Sequence, residues 1–434
     1  MIAALERYFG FDELGTNIRT ELTAGLTTFA AMAYIIAVNP AILAEAGVPR
    51  AAATTATCLA AGFGCLLMGL WARHPIALAP GMGINAYFAY TVVGGMGVDW
   101  RTALGAVFLS GALFCALTVV GVRERILLAL PRDLYPAVGA GIGLFLAFIG
   151  LRNAGIVVPS EATLVSLGDL AAPTTVIALV GLALTAVLLA RRIPGGILIG
   201  VAVATLAAHL TGEASSVEAV SVSDEAWAGV FALDVPGALK LGILDIVFVF
   251  LFVDVFDTMG TVIAVTGKAD LIDQEGRMPR IGRVLGVDAL ATVFGSLVGT
   301  STVTSYIESA AGVSAGGRSG FTAVVVGLGF LASLVFAPLA VLIPTSAVAP
   351  ALILVGAMMM SGIGRMDWET PEVSIPGFLT LITIPLTYSI ANGIAIGFIA
   401  YDVIMIGRGA GGKVSWLVHT LVAVFVVRFA YMAG

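Results

Sequence analysis

The chain is a succession of long apolar runs separated by short polar connections. Runs of about 20 residues are long enough to cross roughly 30 Å of hydrocarbon as α-helices. Their pattern predicts an all-α polytopic membrane protein. Hydropathy predicts fourteen spans, at residues 22–43, 51–71, 76–94, 102–122, 134–151, 174–191, 194–212, 241–266, 284–299, 303–315, 320–343, 346–362, 375–406 and 414–432.

Two of the predicted spans are short and rich in glycine and small polar residues. They contain ALAPGMGINAYFAY (77–90) and GTSTVTSYIESAAGVSAGG (299–317), and they lie third in the first seven spans and third in the second seven. Because seven is odd, two such halves would cross the membrane in opposite orientations. Paired, interrupted segments at corresponding positions point to the substrate site of a transporter. The layout therefore predicts an inverted repeat.

One predicted span, 375–406, is too long for a single crossing and is expected to break at IANGIA (390–395) into two half-spans. Lysines and arginines are concentrated in the loops of one side, which the positive-inside rule assigns to the cytoplasm. An even number of spans then puts both termini in the cytoplasm. The cell membrane is the expected location.

Composition supports this class of protein. Hydrophobic residues make up 59% of the chain and charged residues 11%, whereas a soluble protein carries about 25% charged residues. The net charge of −6 and the lack of a basic run argue against a nucleic-acid partner. The three cysteines lie in apolar runs without CxxC spacing, and the three histidines share no ligand spacing. We therefore expect no metal site and no cofactor.

The eighth predicted span holds two acidic residues in an apolar run, VFVFLFVDVFDTMGTVIAV (247–265). An ionised carboxylate at the bilayer centre costs roughly 2.5–3.5 kcal/mol on insertion scales, so something must compensate for it. Asp254 and Asp257 lie on one helix face, which Thr258 and Thr261 continue. This face predicts a polar cavity wall. The alternative is an aspartate that accepts a hydrogen bond in helix packing.

Glu308 is the acidic residue of the second short segment. The Ser, Thr and Gly residues before it suit an extended backbone that opens into a half-helix, which survives at membrane depth only where it faces protein or water. The helix start would offer free N–H groups beside the Glu308 carboxylate. The alternative is a glutamate that caps a helix at the membrane interface.

The first short segment adds an amide and aromatic rings. Pro80, Gly81 and Gly83 interrupt the helix, and Asn85 carries both hydrogen-bond donors and acceptors. Phe88 and Tyr87 are available to stack on a planar ligand. The GMG pattern follows no strand of the Rossmann type and is not a dinucleotide fingerprint.

These side chains suit a small, flat, neutral solute with several N–H donors and carbonyl or ring-nitrogen acceptors. An inorganic anion would require a buried Arg or Lys, and these three segments have no basic residue in mid-span. Nucleobases fit this description, although the residues alone do not name the ligand.

Four motifs carry a resemblance to a known family: TELTAGLTTFAAMAYI (20–35), APGMGINAYFAY (79–90), FVDVFDTMGT (252–261) and GTSTVTSYIESAAGVSAGGRSG (299–320). In this order and spacing, the chain resembles the nucleobase–cation symporter-2 family of the nucleobase–ascorbate transporter type. Within that family it resembles the adenine/guanine/hypoxanthine permease branch.

The resemblance implies fourteen spans in two inverted repeats of seven, with short strands in spans 3 and 10. A core domain would comprise residues 1–133 (spans 1–4) and 241–345 (spans 8–11). A gate domain would comprise residues 134–240 (spans 5–7) and 346–434 (spans 12–14). A homodimer is also expected from the resemblance.

The resemblance also implies roles for individual residues. Asp257 matches the substrate-binding acid of span 8, Asp254 its acidic partner, Glu308 the ligand of span 10, and Asn85 the asparagine of span 3. Phe88, Thr258 and Thr261 complete the predicted substrate site. Asp254, Asp257 and Glu308 are the residues expected to couple proton movement to transport. Thr261 stands where some members carry a histidine or aspartate, so no proton role is expected there.

The implied function is import of purine nucleobases (adenine, guanine or hypoxanthine) by proton symport with alternating access, with sodium as the alternative coupling ion. The first rival is a sulfate or bicarbonate transporter of the same architecture. The second is a membrane-embedded enzyme that uses the DxxD carboxylates to hold Mg²⁺. That enzyme would need further acidic and basic residues at the same depth, and none appears. We therefore expect a transporter rather than an enzyme.

Overall fold

The computed structural model describes residues 2–120, 131–213, 225–240, 244–269, 271, 278–340 and 342–432. The described chain is mostly helical. The α-helices of the first half are α1 (Ile2–Phe9), α2 (Phe11–Leu14), α3 (Ile18–Met32), α4 (Ile35–Glu45), α5 (Arg50–Leu67), α6 (Met82–Ala86), α7 (Trp100–Val119), α8 (Tyr135–Asn153), α9 (Pro173–Ala190), α10 (Gly196–Leu210) and α11 (Val235–Lys240).

The described residues of the second half form nine further α-helices. They are α12 (Leu244–Lys268), α13 (Ile281–Val298), α14 (Ser309–Ser314), α15 (Gly320–Ala332), α16 (Ala337–Ala340), α17 (Thr345–Met359), α18 (Pro371–Leu386), α19 (Ile390–Gly407) and α20 (Trp416–Met432). Two π-helical segments continue α5 and α6, at Met68–Ala72 and Tyr87–Gly95. Short 3₁₀ helices lie at Arg132–Leu134, Ser333–Phe336, Met360–Arg365 and Gly411–Lys413.

Among the described residues, nine helical segments are long and apolar enough to cross a membrane, and four shorter apolar helices accompany them. This agrees with the polytopic helical membrane protein predicted from hydropathy. Parts of three predicted spans, residues 121–122, 241–243 and 341, lie outside the described residues.

Several helices begin at capping residues that the sequence carries. Asn17, Asp99, Ser319 and Ser389 precede α3, α7, α15 and α19, and each side chain accepts a hydrogen bond from a backbone N–H of the first turn. Such caps satisfy donors that a helix start leaves open. They fix where these apolar runs become helical.

The predicted spans 22–43 and 375–406 are each divided into two α-helices. The first is interrupted at Ala33 and Tyr34, between α3 and α4. The run 375–406 forms two helices, α18 and α19, as the expected half-spans require. The break lies at residues 387–389, just before the predicted IANGIA position, which opens α19 instead. Ser389 explains the difference because its side chain caps α19.

In the described part of the chain, four short strands form two antiparallel pairs. β1 (Leu78–Pro80) pairs with β4 (Val303–Ser305), with Ala79 opposite Thr304. β2 (Val157–Ser160) and β3 (Leu164–Leu167) form a local hairpin that was not predicted. The β1–β4 pair joins segments more than 200 residues apart, and its backbone groups satisfy one another inside the protein.

The helices pack closely around this strand pair. α17 runs along α8, while α5 packs against α13 and α15. Gly143 of α8 faces Gly356 of α17, and a Cβ atom at Gly143 would lie only 2.6 Å from the Gly356 carbonyl oxygen. Small residues allow such close contact between helix backbones in membranes.

Candidate functional site

Two strand-to-helix turns meet at the centre of the candidate site. β1 ends at Pro80 and α6 begins at Met82, while β4 ends at Ser305 and α14 begins at Ser309. Two further hydrogen bonds extend the strand pairing, from Gly81 N to Thr302 O (2.9 Å) and from Tyr306 N to Ala77 O (2.9 Å). The chain therefore brings both short segments of the sequence together.

A cavity of about 360 Å³ lies beside this strand pair. This volume falls within the usual range for small-molecule sites, about 300–1,000 Å³. One wall is formed by the strand ends, α12 and the α3–α4 break. The opposite wall is formed by the first half of α8, the end of α17 and the following 3₁₀ turn. Exposed Ser361 and Arg365 belong to this second wall, so the cavity reaches the protein surface there.

Asp257 of α12 is half-buried in the first wall. Its Oδ2 accepts a hydrogen bond from Thr304 Oγ1 of β4 at 3.1 Å. Gly81 leaves room for this arrangement, since a Cβ atom there would lie 2.9 Å from Thr304 Cγ2 and 3.4 Å from Asp257 Oδ2. The strand pair thus holds this carboxylate at the cavity edge.

Glu308 lies in the same wall, directly before α14. Its Oε1 accepts a hydrogen bond from the hydroxyl of Tyr34 at 2.6 Å. Tyr34 is fully buried and occupies the break between α3 and α4. The helix break therefore brings a hydroxyl donor to the second carboxylate.

Of the seven predicted site residues, Asp257, Glu308 and Thr261 line the cavity. Asp254 is fully buried and lies outside the cavity wall. Thr258 is also buried outside the wall, and its Oγ1 donates a hydrogen bond to Asp288 Oδ1 of α13 at 2.7 Å. Positions i and i+3 point in similar but not identical directions, so only one aspartate of the pair reaches the cavity.

Asn85 and Phe88 are fully buried behind the wall rather than in it. Asn85 Nδ2 donates to Asn39 Oδ1, and Ser301 Oγ donates to Asn85 Oδ1. Asn39 Nδ2 in turn donates to Thr57 Oγ1 (2.8 Å) and Thr300 Oγ1 (3.0 Å). This polar network connects α4, α5, α6 and the turn before β4. Asn85 therefore supports the two segments from behind.

Sequence reasoning did not single out several residues of this site. Tyr34, Thr304 and Tyr306 line the cavity, and Tyr306 donates a hydrogen bond to the Pro80 carbonyl at 2.5 Å. Tyr34 and Thr304 belong to the quoted motifs, but a hydroxyl in an apolar run is too common to be distinctive. The aromatic rings of the wall are Tyr34, Tyr135 and Tyr306, whereas Phe88 was the ring expected to contact a ligand.

The site is acidic and partly apolar. Asp257 and Glu308 face a wall that includes Ile142, Val355 and Met359, and Arg365 lies at the exposed rim. Among the described residues, no group of three or more His, Cys, Asp or Glu side chains could hold a metal ion. The arrangement can bind a compact neutral solute that donates hydrogen bonds to two carboxylates while its faces contact apolar side chains.

Comparison with known proteins identifies the family. Residues 19–396 match the model described as the Permease family. The chain belongs to this permease family, which is the nucleobase–ascorbate transporter family of the resemblance drawn above. That resemblance is confirmed.

Two curated relatives span nearly the whole chain. Guanine/hypoxanthine permease PbuG of Bacillus subtilis is 44% identical over 440 residues, covering 99% of this chain and 100% of the relative. Adenine permease AdeP of Escherichia coli is 42% identical over 428 residues, covering 99% of this chain and 96% of the relative. The adenine/guanine/hypoxanthine branch is thus the one to which this permease is similar.

The fold is similar to that of a solved membrane transporter. The transmembrane domain of the cyanobacterial bicarbonate transporter BicA superimposes with a TM-score of 0.64 at 16% identity, covering 88% of this chain and 97% of that domain. At this identity the likeness concerns the fold alone. Together with the family and the apolar helices, it identifies the permease as an integral membrane protein.

Proposed function

We propose that this permease is a secondary active transporter that imports purine nucleobases by proton symport with alternating access. The observation that carries the proposal is that Asp257 and Glu308 line one cavity of about 360 Å³ in a member of this family. The names of the relatives PbuG and AdeP give the substrate class as guanine, hypoxanthine and adenine.

The chemistry of a purine base matches this cavity. A base is flat and neutral, and its N–H groups donate to carboxylates such as Asp257 Oδ1 or Glu308 Oε2. Charge-assisted hydrogen bonds of this kind are about twice as strong as neutral ones. The apolar side chains of α8 and α17 contact the faces of the base. We infer that Asp257 and Glu308 are the principal substrate ligands.

The remaining predicted site residues take supporting roles in this proposal. Thr261 lies in the wall beside Asp257, while Asp254, Thr258, Asn85 and Phe88 are buried around it. Asp257 and Glu308 are the groups that can take up the coupled proton at the cavity, with Asp254 behind them.

We further propose the architecture of fourteen spans in two inverted repeats, with β1 in the third span and β4 in the tenth. Residues 1–133 and 241–345 form the core domain, and residues 134–240 and 346–434 the gate domain. The position of the cavity supports this division, because its acidic wall comes from the first group and its apolar wall from the second. Both termini are cytoplasmic, and the protein is a homodimer in the cell membrane.

Uptake into proteoliposomes tests the proposed function. Radiolabelled hypoxanthine, adenine, guanine, uracil and xanthine are offered with and without an inward proton gradient. We expect purine uptake that collapses when the gradient is removed. Uptake that instead depends on a sodium gradient would identify sodium, rather than the proton, as the coupling ion. Entry of sulfate or bicarbonate without any base would support the anion transporter and overturn the purine proposal.

Glu308→Gln links this function to the cavity. The substitution removes the charge and replaces an acceptor oxygen by an amide NH₂ group, which is a donor facing a donor on the base. We expect at least a tenfold loss of purine binding, in line with roughly 1.5–3 kcal/mol for a hydrogen bond to a charged group. Glu369→Gln, at an exposed loop position, is the matched control. Normal binding and uptake in Glu308→Gln would remove Glu308 from the site.

A further inference from the structure

Tyr34 is a residue of the cavity wall to which the sequence analysis assigned no role. Its ring is fully buried, yet Tyr34 belongs to the cavity lining. It stands in the interruption between α3 and α4, where the helix does not continue through the apolar run. Its hydroxyl reaches a residue 274 positions away in the chain, Glu308.

The Tyr34 hydrogen bond fixes the orientation of Glu308. A glutamate side chain that is only partly buried loses considerable rotamer freedom when it is held in one position. The distance of 2.6 Å between the Tyr34 hydroxyl and Glu308 Oε1 is that of a strong, charge-assisted hydrogen bond. Glu308 lies between Ile307, which is exposed, and the six-residue helix α14. The Tyr34 hydroxyl therefore holds the Glu308 side chain in place from the side of the α3–α4 break.

Tyr306, the second tyrosine near Glu308, has a different role. Tyr306 is buried in the same wall, but its hydroxyl donates to the Pro80 carbonyl at 2.5 Å. It thereby joins the end of β4 to the end of β1. Tyr306 stabilises the strand pair, whereas Tyr34 contacts the carboxylate itself.

We propose that Tyr34 is a positioning residue that sets the selectivity among purine bases by occupying Glu308 Oε1. This inference rests on the proposed function. A carboxylate can accept two parallel donors, one at each oxygen. Guanine presents such a pair in N1–H and its 2-amino group, whereas hypoxanthine presents N1–H alone on that edge. Tyr34 takes one of the two acceptor positions of Oε1, so this oxygen accepts a further donor more weakly than the free Oε2 does. The carboxylate therefore favours a base that presents a single donor.

Tyr34→Phe removes the hydroxyl and preserves the ring. Hypoxanthine, which presents only N1–H on this edge, then binds a Glu308 carboxylate that is no longer held in one orientation. We expect its affinity to fall about tenfold. Guanine aligns the freed carboxylate through both donors, so its affinity should fall less than about threefold. Equilibrium competition binding on purified protein measures both affinities. The maximal rate of uptake should change less than the apparent affinity.

A double-mutant cycle separates positioning from a general structural effect. Glu308→Asp shortens the side chain beyond reach of the Tyr34 hydroxyl and keeps the charge. Because Glu308→Asp also withdraws the carboxylate from the base, we expect it to weaken the binding of both bases. The double variant Tyr34→Phe, Glu308→Asp should then show no further loss and no further change in selectivity. Tyr306→Phe is the matched control because its hydroxyl bonds a backbone carbonyl. Its effect should add to that of Glu308→Asp and should weaken both bases equally.

The outcomes distinguish this inference from the proposed function. Wild-type protein that binds no purine overturns the proposed function and this inference with it. Wild-type binding combined with additive effects of Tyr34→Phe and Glu308→Asp overturns the inference alone. Equal losses for guanine and hypoxanthine in Tyr34→Phe also overturn it. Thermal unfolding of each variant identifies losses that come from misfolding.

Discussion

At the scale of single residues, three carboxylates inside the apolar spans accept hydrogen bonds from hydroxyl groups. Thr304 donates to Asp257, Tyr34 to Glu308 and Thr258 to Asp288. A hydroxyl stabilises a carboxylate without neutralising it, whereas an Arg or Lys partner would form an ion pair. Asp257 and Glu308 therefore keep acceptor capacity for a ligand.

Asp257→Asn tests whether this capacity serves the substrate. The amide oxygen can still accept from Thr304, so the fold should persist. The amide nitrogen, however, presents donors toward the donors of a purine. We expect a loss of hypoxanthine binding of about tenfold or more, measured by equilibrium binding on purified protein. Asp12→Asn, on the exposed face of α2, should bind normally. Unchanged binding in Asp257→Asn would exclude Asp257 as a substrate ligand.

The sequence indicates the residues of the site whose charge is unusual for their surroundings. Asp257 and Glu308 were predicted because a carboxylate in an apolar run needs a compensating environment, and both line the cavity. Tyr34 and Thr304 were not, because residues with a hydroxyl group are common in apolar runs. Helix periodicity predicts which side chains share a face of the helix but not how close each lies to the cavity. It therefore could not distinguish Asp257, which lines the cavity, from Asp254, which is buried behind it.

At the scale of elements, the strand pair depends on contacts that are distant in sequence. Residue types predicted an interrupted helix in the first segment and extended backbone in the second, and β1 and β4 lie within these segments. That the two strands pair was implied by the family resemblance alone and not by the residues. Cys65 of α5, interpreted as a packing residue, contacts the backbone N and O of Leu78 through Sγ at 3.1 and 3.2 Å. Pairing across the chain is determined by tertiary structure, which local patterns do not encode.

Glu21 is a second element-scale contact that the sequence did not indicate. It is fully buried in α3 and accepts hydrogen bonds from the backbone N–H groups of Arg318, Ser319 and Thr322 and from the Thr322 hydroxyl. These are donors at the start of α15. The carboxylate therefore caps α15 from a neighbouring helix and fastens α3 to it.

Glu21→Gln should lower stability without abolishing binding. The amide keeps one acceptor oxygen and directs an NH₂ group at backbone donors, leaving some of them unsatisfied. We expect a loss of about 1–3 kcal/mol in the free energy of unfolding, seen as a lower midpoint of thermal unfolding in detergent. The folded fraction should bind hypoxanthine with wild-type affinity. Glu13→Gln, exposed in α2, should unfold like wild type. An unchanged midpoint in Glu21→Gln would contradict this role.

At the scale of the whole molecule, the two halves of α8 have different surroundings. Residues 135–142 line the cavity, which reaches the surface beside Arg365. Farther along α8, Phe145 and Phe148 pack edge-on against Tyr388, with ring centroids 5.4 and 5.6 Å apart. Tyr90 contacts Tyr388 at 6.5 Å, and the Tyr388 carbonyl accepts from Thr91 Oγ1 at 2.7 Å. We infer that this aromatic cluster closes the protein at the end of α8 away from the cavity.

Tyr388→Gly should loosen this closed end. Tyr388 has a φ of +50°, which glycine adopts without strain, so the substitution removes the ring while keeping the turn. Each aromatic pair contributes about 0.5–1.5 kcal/mol, and loss of three pairs should favour the state that is open at the Tyr388 end roughly tenfold or more.

A single cysteine in the cavity measures this change. Ile307 lines the cavity and is 43% exposed, so Ile307→Cys, in protein whose native cysteines are replaced by serine, reports from which side a reagent reaches the cavity. A membrane-impermeant thiol reagent should label it mainly from one membrane face, and Tyr388→Gly should increase labelling from the other face. Leu164→Gly, which has a φ of +67° in the β2–β3 hairpin, should leave both rates unchanged. If Tyr388→Gly also leaves both labelling rates unchanged, the aromatic cluster does not keep the Tyr388 end closed.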